Sequence, residues 1–264
     1  MSISGCPFKY DGIMSTQYGL IIANIETSSN KTKTGGKKTY TTQNLPSNNK
    51  FYMMGRQIKE PLSFDIEITK SESNTALSDL QQRNIVKWLF DRVGYHKFEI
   101  MDKAYSGLYF NCYFTDDEVL NYGVGCVGYK FTVVCDASWA WENPKTYTYS
   151  FATLPSTINF INNSDYEDYL FPQSVSITCG TTGGTISIVN TNDNNNIVQL
   201  TELTANEVIT MTDKGDIISS TENSRIDNWN GKRFKFKNKD NHLLVTGDVK
   251  TIQITYQNVR RISY

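Results

Sequence analysis

From Tyr166 onward the sequence is a succession of short apolar–polar alternations broken by turn clusters. SVSITC, TTGG, TISIVN, NDNNN and IVQLTEL are followed by VITMT, DKGD, IIS, RFKFK, NKDN, HLLVT and KTIQITY. Strands recurring every ~8–12 residues with turn signals between them specify an antiparallel sandwich or jelly roll. No run in this half has the 3.6-residue apolar period of a helix, and no fixed-period repeat is present. The 16 Tyr and 13 Phe, with abundant Thr and Asn, favour the same strand-and-turn texture.

The front half is organised differently. Tyr18–Ile25 is a β-rich run, and residues 27–50 form a polar arm carrying Lys31, Lys33, Lys37 and Lys38. Pro61–Thr69 (PLSFDIEIT) alternates cleanly, with Leu62, Phe64, Ile66 and Ile68 on one face and Ser63, Asp65 and Glu67 on the other. One helix is predicted over about Ala76–Val93, with an apolar stripe of Leu77, Leu80, Ile85, Trp88 and Leu89. Asn74 or Thr75 is placed to cap it and Gly94 to end it. Strands follow near 97–101, 107–115 and 127–136, and the pattern stops at Trp139, Trp141 and Pro144. A boundary between Asn143 and Pro155 then divides the 264 residues into domains 1–150 and 151–264.

A net charge of -1 and a pI of about 6.2 leave no general basic footprint for nucleic acid or an anionic membrane. No apolar run reaches the ~20 residues of a membrane-spanning helix. Met1–Tyr10 lacks the charged and apolar regions of a signal peptide. Cys6, Cys112, Cys126, Cys135 and Cys179 are odd in number and without CxxC spacing, so free thiols in a reducing cytoplasm are expected rather than a disulfide framework.

The motifs that resemble chemistry have plainer readings. Gly123-Val-Gly125-Cys-Val-Gly128 matches G-x-G-x-x-G, but a strand-like run, YKFTVVC, follows where a dinucleotide site needs a helix. The lysines around Gly35-Gly36 lack the GxxxxGK[ST] pattern, so they read as a solvated loop or a subunit-contact arm. Asp116, Asp117 and Glu118 lack EF-hand spacing and read as a solvated turn. His96 and His242 are far apart and belong to no zinc motif, and no GxSxG is present. No cofactor, metal or catalytic residue is therefore assigned. Trp229, in a Trp-Asn-Gly loop, can stack on a sugar ring or pack over its own turn.

The order of segments is more specific than any motif. An F-x-Y-x-G turn precedes YGLIIANIE; a polar arm, PLSFDIEI and the helix LQQRNIVKWLFDRVGYHKFEI follow. FTVVCDASWAWENP closes the first domain, and the chain ends NHLLVTGDVKTIQITYQNVRRI. Over almost its whole length this order resembles the distal tail proteins of siphophages, the long non-contractile tailed phages, particularly those of Gram-positive hosts. The resemblance implies a mainly β protein with one principal helix. It implies a ring-forming, tail-tube-like N-terminal domain and a C-terminal galectin-like jelly-roll β-sandwich. It further implies a structural, non-enzymatic hub at the virion tail tip, assembled in the host cytoplasm. Its homo-hexameric ring would join the tail tube protein to the tail-associated lysin or tip protein, with tape-measure and receptor-binding proteins as further partners. DNA would pass through the lumen without specific binding, and no membrane would be engaged. On physical grounds, the ladder of Leu62, Phe64, Ile66 and Ile68 and the arm lysines Lys37 and Lys38 are the expected subunit contacts. The alternatives are a cell-wall carbohydrate-binding module using Trp229 and a major tail tube subunit.

Overall fold

The computed structural model of the chain describes residues 5–26, 38–45, 48–58, 60–72, 75–123 and 125–262. The chain divides into two compact units, Met1–Glu142 with Arg260–Tyr264, and Asn143–Val259. Strands dominate both, and among the described residues one α-helix forms.

The first unit contains β1 (Phe8–Tyr10), β2 (Ile13–Met14), β3 (Leu20–Glu26), β4 (Lys38–Leu45), β5 (Asn48–Ile58) and β6 (Ser63–Lys70). It continues with α1 (Asp79–Leu89), β7 (His96–Ile100), β8 (Leu108–Tyr122), β9 (Gly125–Cys135) and β10 (Ala140–Glu142). The main sheet runs β2-β1-β7-β8-β9-β6-β3, with β10 pairing β8. Every registered pair in it is antiparallel. Strands β4 and β5 form a two-stranded sheet of their own.

Helix α1 is capped three residues later than Thr75, with Asn74 outside the described residues, because Ser78 provides a reciprocal capping box. Its hydroxyl accepts from Gln81 N, and Gln81 Oε1 accepts from Ser78 N. Phe90 ends the helix, while Gly94 takes a positive φ of 92° in the following turn. Leu77, Ile85, Trp88 and Leu89 are buried as the stripe predicts, but Leu80 is exposed. Five residues before Ile85, it sits about 140° around the helix from the buried line. Trp88 anchors the helix to the sheet: its ring stacks on Phe8 and Tyr18, and its indole N–H donates to Tyr10 O at 3.1 Å.

The second unit contains β11 (Lys145–Ser150), β12 (Ser156–Asn162), β13 (Ser174–Cys179), β14 (Gly184–Asn190), β15 (Asn196–Leu203), β16 (Val208–Thr212), β17 (Ile217–Ser219), β18 (Lys239–Thr246) and β19 (Val249–Tyr256). A five-stranded sheet, β11-β19-β13-β16-β17, and a four-stranded sheet, β12-β18-β14-β15, make the sandwich. Phe160 of β12 meets Tyr147 of β11 and Tyr256 of β19 across the core, with Phe236 beside it. The run RFKFK is not a regular strand; it makes one bridge, Phe236 to Leu170, and buries both phenylalanines.

The division at 142/143 differs from the 150/151 boundary because β11 pairs β19 along its whole length. The terminal strand β20 (Val259–Arg260) leads back to the first unit, where Arg260 Nε lies 2.7 Å from Glu142 Oε1 and Ile262 joins the core.

Replacing Trp88 with Ala removes three ring contacts and a buried hydrogen bond, so it should destabilise the first unit by about 3–5 kcal/mol. Thermal unfolding checks this; a loss under ~1 kcal/mol would mean that the helix is held by other contacts.

Candidate assembly surfaces

The predicted contact strand is not an edge. β6 is hydrogen-bonded to β9 on one side and β3 on the other. Leu62, Phe64, Ile66 and Ile68 are each no more than 4% exposed and lie in the core of their own unit. They are therefore corrected from subunit contacts to core residues. Alternation identified their buried face, but period-2 patterning carries no information on how many strands flank a given one. Gly128 of β9 shows how closely the strands approach: a Cβ there would sit 1.9 Å from Ile68 O. Packing thus explains the last glycine of the G-x-G-x-x-G match, and Gly125 simply opens β9.

The sheet ends at β2 on one side and at β3 on the other, and β3 is the longer of these terminal strands. Part of it is covered from within the chain, since Gly5 N donates to Ile22 O at 2.7 Å and Ile22 N to Cys6 O at 2.9 Å. The connection between β3 and β6 contains the β4–β5 ribbon, a sheet of two strands. Phe51 is 72% exposed and Met53 66%; Tyr40, Tyr52 and Met54 are also exposed. Phe51 and Met53 lie on one face of β5 and Tyr52 on the other, while Met54 is the extra residue where the register shifts against Thr41 and Thr42. Two-stranded ribbons are marginal on their own in water, and clustered exposed apolar groups mark interaction surfaces. The sequence signal was FYMM: four consecutive apolar residues put oily groups on both faces of a strand. Lys37 lies outside the described residues, as do Lys31 and Lys33. Lys38 is the first residue of β4, in register with Ile58.

Asp116 and Asp117 occupy a bulge between Thr115 and Glu118, exposed to solvent, with Asp116 at φ 54°. His96 Nδ1 lies 3.2 Å from Asp11 Oδ1, and Arg92 Nη1 3.1 Å from Asp11 Oδ2. His242 is exposed and opposes Asn159 in the four-stranded sheet. Trp229 is half-buried; its indole N–H donates to Lys232 O at 2.8 Å, its backbone bridges Leu200, and its ring lines a small hollow with Phe171, Met211 and Phe234. That arrangement leaves the indole N–H occupied within its own turn. Among the described residues no group of three or more His, Cys, Asp or Glu is placed to hold a metal ion, and no helix is long and apolar enough to cross a membrane.

Two polar features shape the second unit. The outer face of its five-stranded sheet is uncharged across three rows: Thr148–Gln253–Ser176–Thr210 in the centre, Thr146–Thr255–Ser174–Thr212 on one flank and Ser150–Thr251–Thr178–Val208 on the other. Such a face offers nothing to a polyanion. The second feature is the buried pair Glu207–Arg225. Arg225 Nε and Nη2 each donate at 2.7 Å to a different carboxylate oxygen, and Ser219, Thr221 and Thr204 donate to the same group. Burial alone pushes the Glu207 carboxyl up, but Arg225, Ser219 and Thr204 outweigh it and hold it down at about 2.

The fold has solved counterparts. The chain superposes on the crystal structure of SPP1 Dit, described as a paradigm of the hub adsorption apparatus in Gram-positive infecting phages, with a TM-score of 0.69 at 9% identity, covering 95% of this chain and 98% of that one. A chain of the phage P2 baseplate in its activated conformation with Ca matches with a TM-score of 0.50 at 10% identity, covering 96% and 97%. No curated protein sequence matches significantly. The architecture is thus that of a two-part, Dit-like β protein. By sequence the chain belongs to a family of phage tail proteins: residues 4–137 match the phage tail protein N-terminal domain and residues 139–256 the phage tail C-terminal domain.

Because the folded Glu207 pKa lies below its ordinary value of 4.5, its stabilisation is complete above about 4.5 and is lost as pH falls toward about 2. The second unit's unfolding midpoint should fall through that window. Glu207→Gln strands a buried guanidinium, so it should cost about 3–5 kcal/mol at neutral pH and flatten the acid slope. Thermal melts across pH check both; an unchanged acid slope in the variant would exclude Glu207 as its source.

Proposed function

We propose that this phage tail protein is the distal tail hub: a structural, non-enzymatic component that closes into a homo-hexameric ring between the tail tube and the tip or baseplate. The observation that carries this reading is the β4–β5 ribbon, with apolar side chains exposed on both faces, in the connection that follows the terminal strand β3. A ring needs one surface that reaches out and a different surface that receives it, repeated by rotation until it closes. The ribbon is the reaching element, and the uncovered stretch of β3 is suited to receive a strand by main-chain pairing. The SPP1 Dit likeness, which spans both units, supports the assignment.

In this reading the first unit forms the ring and its lumen, through which DNA passes without specific binding. The tail tube protein docks on one face, and the tail-associated lysin or tip protein on the other. The tape-measure protein meets the same axis. The second unit, a galectin-like sandwich, carries receptor-binding or baseplate proteins. The near-neutral net charge supports a lumen that does not retain DNA. The particle is assembled in the host cytoplasm and the protein remains in the virion tail tip.

Light scattering and negative-stain microscopy of the purified chain, and of isolated tails, test the proposal. A six-fold ring with a central channel is expected. Phe51→Ser with Met53→Ser should leave the thermal midpoint of the monomer nearly unchanged, because both side chains are already in water, yet abolish the ring. Rings that survive this double substitution would remove the ribbon from the interface, a monomer within assembled tails would overturn the hub, and filaments would favour a tube subunit.

A further inference from the structure

Cys112 and Cys135 face one another across the β8–β9 ladder as direct register partners, and both are fully buried and free. The flanking hydrogen bonds define the kind of pair. Cys135 N donates to Leu62 O, away from β8, and Asp136 N donates to Asn111 O at 2.8 Å. The cysteines therefore occupy a non-hydrogen-bonded position, where opposed Cα atoms stand about 4.5 Å apart and side chains come closest. That separation lies inside the ~4.4–6.8 Å range that a disulfide spans. Cys179 belongs to the second unit. Cys126 is nine residues from Cys135 along the same strand, roughly 30 Å at the rise of an extended chain. Among the described strand pairings no other two cysteines are opposed.

We infer that Cys112 and Cys135 are a latent oxidation site: a dithiol in a reducing medium that a small-molecule disulfide converts into a cross-strand disulfide stapling β8 to β9. One cysteine thiolate attacks the small disulfide, forming a mixed disulfide and expelling one small thiolate. The second cysteine thiolate attacks the protein sulfur of that mixed disulfide, forming the Cys112–Cys135 bond and expelling the other small thiolate. The small disulfide takes up two electrons, and its two thiolates take the two protons that the cysteines lose. Burial raises both thiols above their ordinary range, so the fully folded pair reacts slowly, through transient opening of the ladder. The same burial shields the finished bond from reductant. The bond closes a loop containing the β8–β9 turn, which restricts the unfolded chain.

Incubation of the reduced, full-length protein with oxidised glutathione at mildly alkaline pH tests this, followed by alkylation in denaturant and digestion without reduction. The expected product is two hydrogens lighter, retains three alkylatable thiols and yields one cross-linked peptide pair joining Cys112 to Cys135. Its first thermal transition should rise by roughly 5–10 °C and fall back on reduction. Five alkylatable thiols after prolonged incubation, glutathione persisting on Cys112 or Cys135, or a link to any other cysteine would overturn the assignment. A correctly linked pair with no thermal rise would overturn its role as a staple. The peptide map is read on the wild-type chain, so its outcome does not depend on a variant that fails to fold.

Discussion

Backbone groups at the margin of a β-sheet must find hydrogen-bond partners or face water, and the first unit is arranged around that requirement. β6 is interior, and β9 has β8 and β6 on its two sides. The margin at β3 is partly covered by the Gly5–Cys6 segment. The connection from β3 to β6 holds a two-stranded ribbon that carries several of the large exposed apolar side chains among the described residues. A monomer gains little from such a ribbon. Burial in an assembly is the condition under which its composition becomes favourable.

Much of the fold was legible because its signals are local. Alternation in SVSITC, TISIVN and KTIQITY places their strands, and the helix is marked by Ile85, Trp88 and Leu89 on one line. What failed was information that local periodicity cannot hold. PLSFDIEIT has the same pattern whether one or two strands flank it, so its place in the sheet depends on distant partners that the pattern does not name. Leu80 falls within the helix but off its buried line, a distinction that counting apolar residues does not make and that the 100° step per residue does. The polar arm at 27–50 overlaps the ribbon, but the FYMM run that defines its surface has the composition of a core strand, and composition alone does not separate a buried apolar run from an exposed one.

The second unit is stabilised by a different logic. Its two sheets enclose an aromatic core around Phe160, while the loops at 202–225 depend on the Glu207–Arg225 pair and the hydroxyls that complete it. No spacing rule links residues eighteen positions apart across loops, so this pair could not be read from the sequence. Removing one partner would leave the other charged and buried, which makes the pair a requirement on both residues together.

The return of Arg260 and Ile262 to the first unit makes the second unit an insertion with two attachment points. Glu142, just before the outgoing junction, is ion-paired to Arg260, just after the incoming one. Any pull on the second unit is therefore split between two backbone connections that start side by side, and neither carries the full load. The same connectivity makes the second unit an exchangeable cassette: a different module whose termini lie close together can replace residues 143–259 without opening the sheet of the first unit.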